Sequence, residues 1–332
     1  MPKPSADLTF RPAGTLSRFA AIARLTALET CRQPVFLLIS LAAGLGILLF
    51  PLVLNYTLGD TARIVRDSAF SLAFVAGLAL AAHSAVTALS HDLRRGPAAV
   101  WLSADCSRPL WFAAKCAGVF LALLLYVAAI LPATLLAVRA CGDGVHTDWP
   151  VALTALAAPP VALALAALWN LTTRRPANAT AAALLPVVLA AAWLWNAFLR
   201  RADFLPNPAA FDWPLCQALL LLTLPLFMTA VLAAALAVRL PPGVSLLLSL
   251  LLFGAGLFSA PLLAPRASRS LPAAVLRAVL PDLQAYWLPD ALDTPSPFPR
   301  GYFPRAAAAA AAWSAAVFTL GALALHRREI PA

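Results

Sequence analysis

Formal charge is what this chain has least of. Asp, Glu, Lys and Arg make up 11% of its 332 residues, less than half of the ~25% usual in soluble domains. Apolar residues supply 62%. That balance excludes a water-soluble core wrapped in a charged shell. Catalytic signatures are missing too. There is no G-x-x-x-x-G-K-[ST] loop to cradle nucleotide phosphates, and no H-E-x-x-H, G-x-S-x-G or paired-aspartate pattern to serve a hydrolase or prenyl-type transferase. The chain reads as a non-enzyme without cofactor or metal. Cys31, Cys106, Cys116, Cys141 and Cys216 show no C-x-x-C spacing and read as unpaired structural residues. His83 and His91 stand about two turns apart, but no second pair on another span completes a haem or metal site. His83 reads instead as an interhelical donor.

What the chain does have is length without charge. Eight stretches, 35–55, 68–90, 111–138, 151–171, 179–199, 215–238, 244–264 and 306–325, contain one formal charge between them, Lys115. About 20 helical residues cross a hydrocarbon core of roughly 30 Å. Inside lipid every backbone N–H and C=O must be paired within the element, which makes these stretches helices. Lys115 lies four residues inside its span, where its stem is expected to snorkel to the headgroups. The fold class is therefore all-α: a polytopic helical membrane protein of about eight transmembrane helices, with six as the alternative.

Charge between the spans orients the chain. With the N-terminus inside, the inner segments and Lys115 hold 14 of the 24 Lys and Arg, while 9 of the 14 acids fall outside. Cytoplasmic loops carry the excess of Lys and Arg, so both termini are expected in the cytosol. The resulting division is a cytosolic N-terminus over 1–34, a transmembrane domain over 35–325 and a cytosolic tail over 326–332. The net charge of +10 needs no nucleic acid to explain it.

The first residues, MPKPSADLTFRPAG, are too polar for a secretory signal. Residues 15–33 are expected to form a helix along the inner surface, with Arg18, Arg24, Glu29 and Arg32 on one arc and Leu16, Phe19, Ala20, Ala23 and Ala27 opposite. A plain cytosolic extension of the first span is the other reading. Pro159, Pro160 and Pro186 fall within spans and predict kinks. The run Ala306–Ala312 suits close helix contacts. The external loop 265–305 is too short for a core of its own. Its 270–280 stretch has a short helical pattern, and Tyr286, Trp287, Tyr302 and Phe303 predict a segment lying at the outer headgroups.

Between the second and third spans lies a basic hook, 91–110, which includes His91, Asp92, Leu93, Arg94, Arg95, Gly96, Trp101 and Arg108. It mixes charge with apolar anchors, as a transient protein interface does. It can also be read as a positive-inside loop and nothing more. Proton- or ion-driven carriers place acids or histidines inside the membrane as relays. Here only His83, with Asn170 and Asn196 near span ends, could serve, so any transport draws its energy from a partner.

Positions 24–130 resemble the membrane subunit of ABC-2 type transporters. Arg32 and Phe36 match that family's R-x-x-x-F stretch, and Gly59, Asp60, Arg63 and Asp67 match its external G-D-x-x-R-x-x-x-D turn. The run from His91 to Gly96, then Leu102-Ser103, Ser107-Arg108, and Lys115 with Gly118, follow the family's cytosolic hook. Asp92 stands where the family has glutamate, Pro97 replaces its threonine, Ala104-Asp105 its Lys-Pro, and Ala114 the glycine before Lys115. Leu280 to Gln284 and Arg327-Arg328-Glu329 resemble its C-terminal part. The resemblance implies a permease in a bacterial inner (cytoplasmic) membrane, an exporter, paired with a second permease subunit as homo- or heterodimer and driven by a separate ABC ATP-binding subunit gripping the hook. A secondary transporter or channel acting alone, and a non-transport membrane scaffold, are the alternatives. Cargo is not legible.

Overall fold

Charge-poor stretches that must satisfy their own backbone have become helices. The computed structural model describes residues 14–54, 60–95, 106–142, 147–174, 176–199, 212–267, 270–288, 291–292, 298–299 and 301–328. Among them there is no strand. The helices are α1 (Thr15–Arg32), α2 (Pro34–Val53), α3 (Thr61–Arg95), α4 (Arg108–Ala140), α5 (Trp149–Thr173), α6 (Ala177–Leu194), α7 (Trp213–Leu221), α8 (Thr223–Ala237), α9 (Pro242–Ala267), α10 (Leu271–Val279) and α11 (Tyr302–His326). A π-helical turn, Trp195–Leu199, extends α6, and Leu283–Tyr286 is a 3-10 turn.

Eight helical segments are long and apolar enough to cross a membrane: α2, α3, α4, α5, α6 with its π turn, α7 joined to α8, α9 and α11. They coincide with the eight charge-poor stretches, and the chain is a multi-pass helical protein. On α5, Trp149 and Trp169 are each more than half exposed. Twenty residues separate them, about 30 Å of helix, which matches the hydrocarbon thickness that Trp side chains tend to bracket. The internal prolines do not interrupt the helices: α5 runs through Pro159 and Pro160, and α6 through Pro186.

The centre is α3 and α4. Helix α3 packs on α2, α4, α8 and α9, and α4 also touches α1, α5, α6, α7 and α11. Two-thirds of the most apolar window of each is buried, against 22% for α11. Tyr126 of α4 ties the pair at mid-depth by donating its hydroxyl to the Ala73 carbonyl at 2.8 Å. Only one side of the Ala306–Ala312 run packs, through Ala306 and Ala310.

Two helices begin with the same three residues. Asp148-Trp149-Pro150 and Asp212-Trp213-Pro214 each use the aspartate as N-cap, accepting from the amide three residues on. Proline follows in the first turn, where its missing N–H costs nothing.

The segment after α10 packs part of its aromatic set into the bundle. Leu283 and Tyr286 are buried, and Trp287 meets Phe70 and Phe74 of α3 edge-on at 5.4 and 5.7 Å. Tyr286 donates to the Ala306 carbonyl at 3.0 Å. The segment can seat this deeply because Gly256 of α9 has no side chain; a Cβ there would fall 2.8 Å from Leu283 and 3.0 Å from the Pro281 carbonyl. Helix α9 also continues to Ala267 and α11 starts at Tyr302, so both ends of the 265–305 region are helical.

Candidate coupling site

The ends of several helices meet at one end of the bundle, here called the Arg108 end. Thr87 of α3 donates to the Gln33 side chain at 3.3 Å, and the Asn178 amide donates to the Arg32 carbonyl at 3.3 Å. Arg108, at the start of α4, donates to the carbonyls of Leu325, His326 and Arg328 at the close of α11. Arg328 in turn donates to the Val238 carbonyl at the end of α8. Helix C-termini leave carbonyls unpaired and carry partial negative charge, which guanidinium groups satisfy.

The hook begins and ends within helices: 91–95 are the last residues of α3 and 108–110 the first of α4. Gly96 and Trp101 lie outside the described residues, as does Gly59 of the external motif. Between the two roots sits an ion pair. Lys115 Nζ lies 2.6 Å from Asp92 Oδ2, with side chains only 4% and 7% exposed. Glu29 of α1 approaches the same ammonium at 3.7 Å, and Lys115 also stands 5.9 Å from the centre of the Trp111 ring. Lys115 therefore does not snorkel. A buried ammonium is stable only with a close counter-charge, and Asp92, 23 residues away in sequence, supplies it.

Helix α1 closes the site from the side. Its seam against α4 is Ile22, Ala23, Thr26 and Thr30, while Leu16, on the face expected along the inner surface, is 81% exposed. Thr26 and Thr30 turn their hydroxyls back onto the carbonyls of Ile22 and Thr26, so they bury no unpaired donor. The contact is close because α4 offers Gly118, where a Cβ would sit 2.5 Å from the Ala23 carbonyl and 2.6 Å from the Thr26 Cβ.

Of the other hook residues, Leu93 is buried, Arg94 is exposed, and His91 Nδ1 lies 3.4 Å from Asp92 Oδ1. Arg328 holds its proton less tightly than a free guanidinium, first through burial and then through the nearby charges of Arg94 and Arg239. Three arginines thus crowd one surface. Beside it, Thr15, Leu16, Phe19 and Leu110 line an apolar recess of about 400 Å³. At the opposite end, Asp60 precedes α3 and its carbonyl accepts from Ile64. Arg63 is exposed there, and Asp67 pairs with Arg66 at 3.5 Å.

The charge pattern narrows the partner of Lys115 without naming it. A lysine inside a span calls for an acid, and Asp92 and Glu29 are among the five assigned to its side. All five cysteines are free and buried. Among the described residues, no three His, Cys, Asp or Glu gather as a metal site would require. No family model, curated protein or solved structure matches the chain.

Proposed function

We propose that this chain is the membrane-spanning subunit of an ABC-2 type ATP-driven exporter. In this reading it pairs with a second permease subunit, and a separate ATP-binding subunit hydrolyses ATP. The Arg108 end, with both termini, faces the cytosol. The observation that carries the reading is the Asp92–Lys115 pair. It clasps the two roots of the 96–105 segment to each other, with Glu29 of α1 alongside. A partner pushing on that segment would therefore move α1, α3 and α4 as one lever, rather than bend a slack loop. The crowded Arg94, Arg239 and Arg328 offer an acidic partner an electrostatic seat, and the Leu16 recess offers it an apolar anchor.

The test is charge reversal at exposed Arg94. Arg94→Glu should insert normally, because exposed surface changes usually cost within about 0.5 kcal/mol. Inverting a charge opposite a complementary partner costs several kcal/mol, so ATPase association should fall at least tenfold. Arg94→Gln, which removes charge without adding acid, should give a smaller loss. A correctly inserted Glu variant that recruits and stimulates an ATPase at the wild-type level would remove the coupling role.

A further inference from the structure

We infer that α8, α9, α11 and the Leu280–Tyr286 segment enclose a binding site for one zwitterionic phospholipid, its acyl part in an apolar cavity and its headgroup between Asp282 and Arg305. The site stands apart from coupling and would exist whether or not an ATPase drives the chain.

Two adjoining cavities form it. The first, about 540 Å³, is lined by residues such as Leu236, Phe253, Leu283 and Leu320. Among the described residues no charged side chain lines it, and the one lining hydroxyl, Thr229, already donates to the Pro225 carbonyl. The second, about 720 Å³, shares Met228, Leu280, Pro281, Trp313 and Ala316 with the first but adds Asp282, Tyr286, Tyr302 and Arg305. Each volume lies in the range of roughly 300–1,000 Å³ that ligand pockets occupy. Along α11 the lining runs from Arg305 to Gly321, about 24 Å of helix and long enough for an extended acyl chain. The cavities are bounded by α9 and α11, the two least buried spans, so hydrocarbon has lateral access.

The headgroup class follows from the charges. Asp282 and Arg305 line one chamber, both are exposed, and neither side chain has a hydrogen bond or ion pair among the described residues. The two tyrosine hydroxyls beside them donate to the carbonyls of Ala306 and Ala285, and each keeps acceptor capacity. A phosphate finds a planar donor fork in Arg305, and an ammonium finds a carboxylate in Asp282. An anionic headgroup would meet Asp282 as a like charge.

Trp313 lines both cavities and supplies the readout. The purified full chain is placed in phosphatidylglycerol vesicles carrying a minor fraction of acyl-brominated phosphatidylethanolamine or of acyl-brominated phosphatidylglycerol. The quenching due to Trp313 is isolated by subtracting a Trp313→Phe variant. Exposed charged contacts contribute little each, so the ethanolamine lipid should quench about threefold more strongly at equal fraction, which converts to about 0.65 kcal/mol. The double variant Asp282→Asn with Arg305→Gln should bring the ratio to unity with unchanged thermal stability. Equal quenching by both lipids in the wild type would mean ordinary contact with surrounding lipid and would overturn the proposal. Absence of quenching by either lipid, as a second copy covering Trp313 would produce, or selectivity retained in the double variant, would overturn it too. No ATPase takes part, so failure here leaves the coupling proposal untouched.

Discussion

Asp92 Oδ2 and Lys115 Nζ stand 2.6 Å apart at the point where α3 ends and α4 begins, both nearly sealed from solvent. Breaking such a pair from one side leaves an uncompensated buried charge, which costs about 3–5 kcal/mol. Replacing both partners with apolar residues of similar volume is often neutral or better. Lys115→Met and Asp92→Leu should therefore each lower the melting temperature sharply in detergent, while the double variant recovers most of the loss. Equal destabilisation by the double variant and the worse single one would show that the ion pair is not what the site depends on.

The α1–α4 seam makes a second prediction. Gly118→Ala would place a Cβ 2.5 Å from the backbone oxygen of Ala23, and backbone cannot yield as a flexible side chain can. Overpacking of this kind costs about 1–3 kcal/mol. Increased proteolysis within 15–32 should accompany the loss of stability. Gly44→Ala, at a position with nothing within 4 Å of the added carbon, is the control and should be silent.

A third prediction concerns Arg108. It bonds three carbonyls at the close of α11, and hydrogen bonds to a charged group contribute about 1.5–3 kcal/mol each when buried. The guanidinium is partly exposed, so the net effect of Arg108→Ala should lie nearer 1 kcal/mol. The informative readout is local: amide exchange should accelerate at 325–328 and remain unchanged in α5. Unchanged exchange in the tail would show that the clasp is not formed in solution.

The spans were legible because the bilayer imposes its thickness on the sequence, and the charge-poor runs from 35–55 to 306–325 match the eight apolar helices. Contacts between distant residues were not. Lys115 looked like a snorkelling lysine because its position in the span is local information, whereas its partner Asp92 is contributed by another helix. Trp287 looked like a headgroup anchor because its side chain suits an interface; only packing reveals Phe70 and Phe74 beneath it. The α1 seam is not legible from hydrophobicity, which ranks Leu16 above Thr26, while close approach to Gly118 favours the smaller side chain. The Asp-Trp-Pro caps of α5 and α7 are local signals, legible in the sequence itself. Of the candidate site, the hook's place between α3 and α4 was visible, but the ion pair that clasps it was not.

Burial pushes the Cys31 thiol up to about 11, which gives a prediction in pH. The folded chain keeps this proton where an unfolded one, with a value of 9.0, has lost it. The group's contribution to stability is thus present below pH 9 and lost as pH rises through about 11. Only the thiolate reacts, so maleimide labelling at Cys31 should be slow at neutral pH and rise about tenfold per pH unit. Rapid labelling of Cys31 at neutral pH would mean that α1 does not pack on α4 as described.

As the permease proposed above, this chain should transport only when a separate ATPase drives it through the Arg108 end. The direct measurement is ATP hydrolysis in proteoliposomes containing the chain alone, an ABC ATP-binding subunit purified with it from its native membrane, and the two together. The chain alone should bind no nucleotide, and the subunit alone should hydrolyse ATP at a basal rate. Combined, they should hydrolyse ATP severalfold faster, an increase that Arg94→Glu reduces. Specific ATP binding by the partner-free chain, or hydrolysis indifferent to its presence, would contradict the proposal.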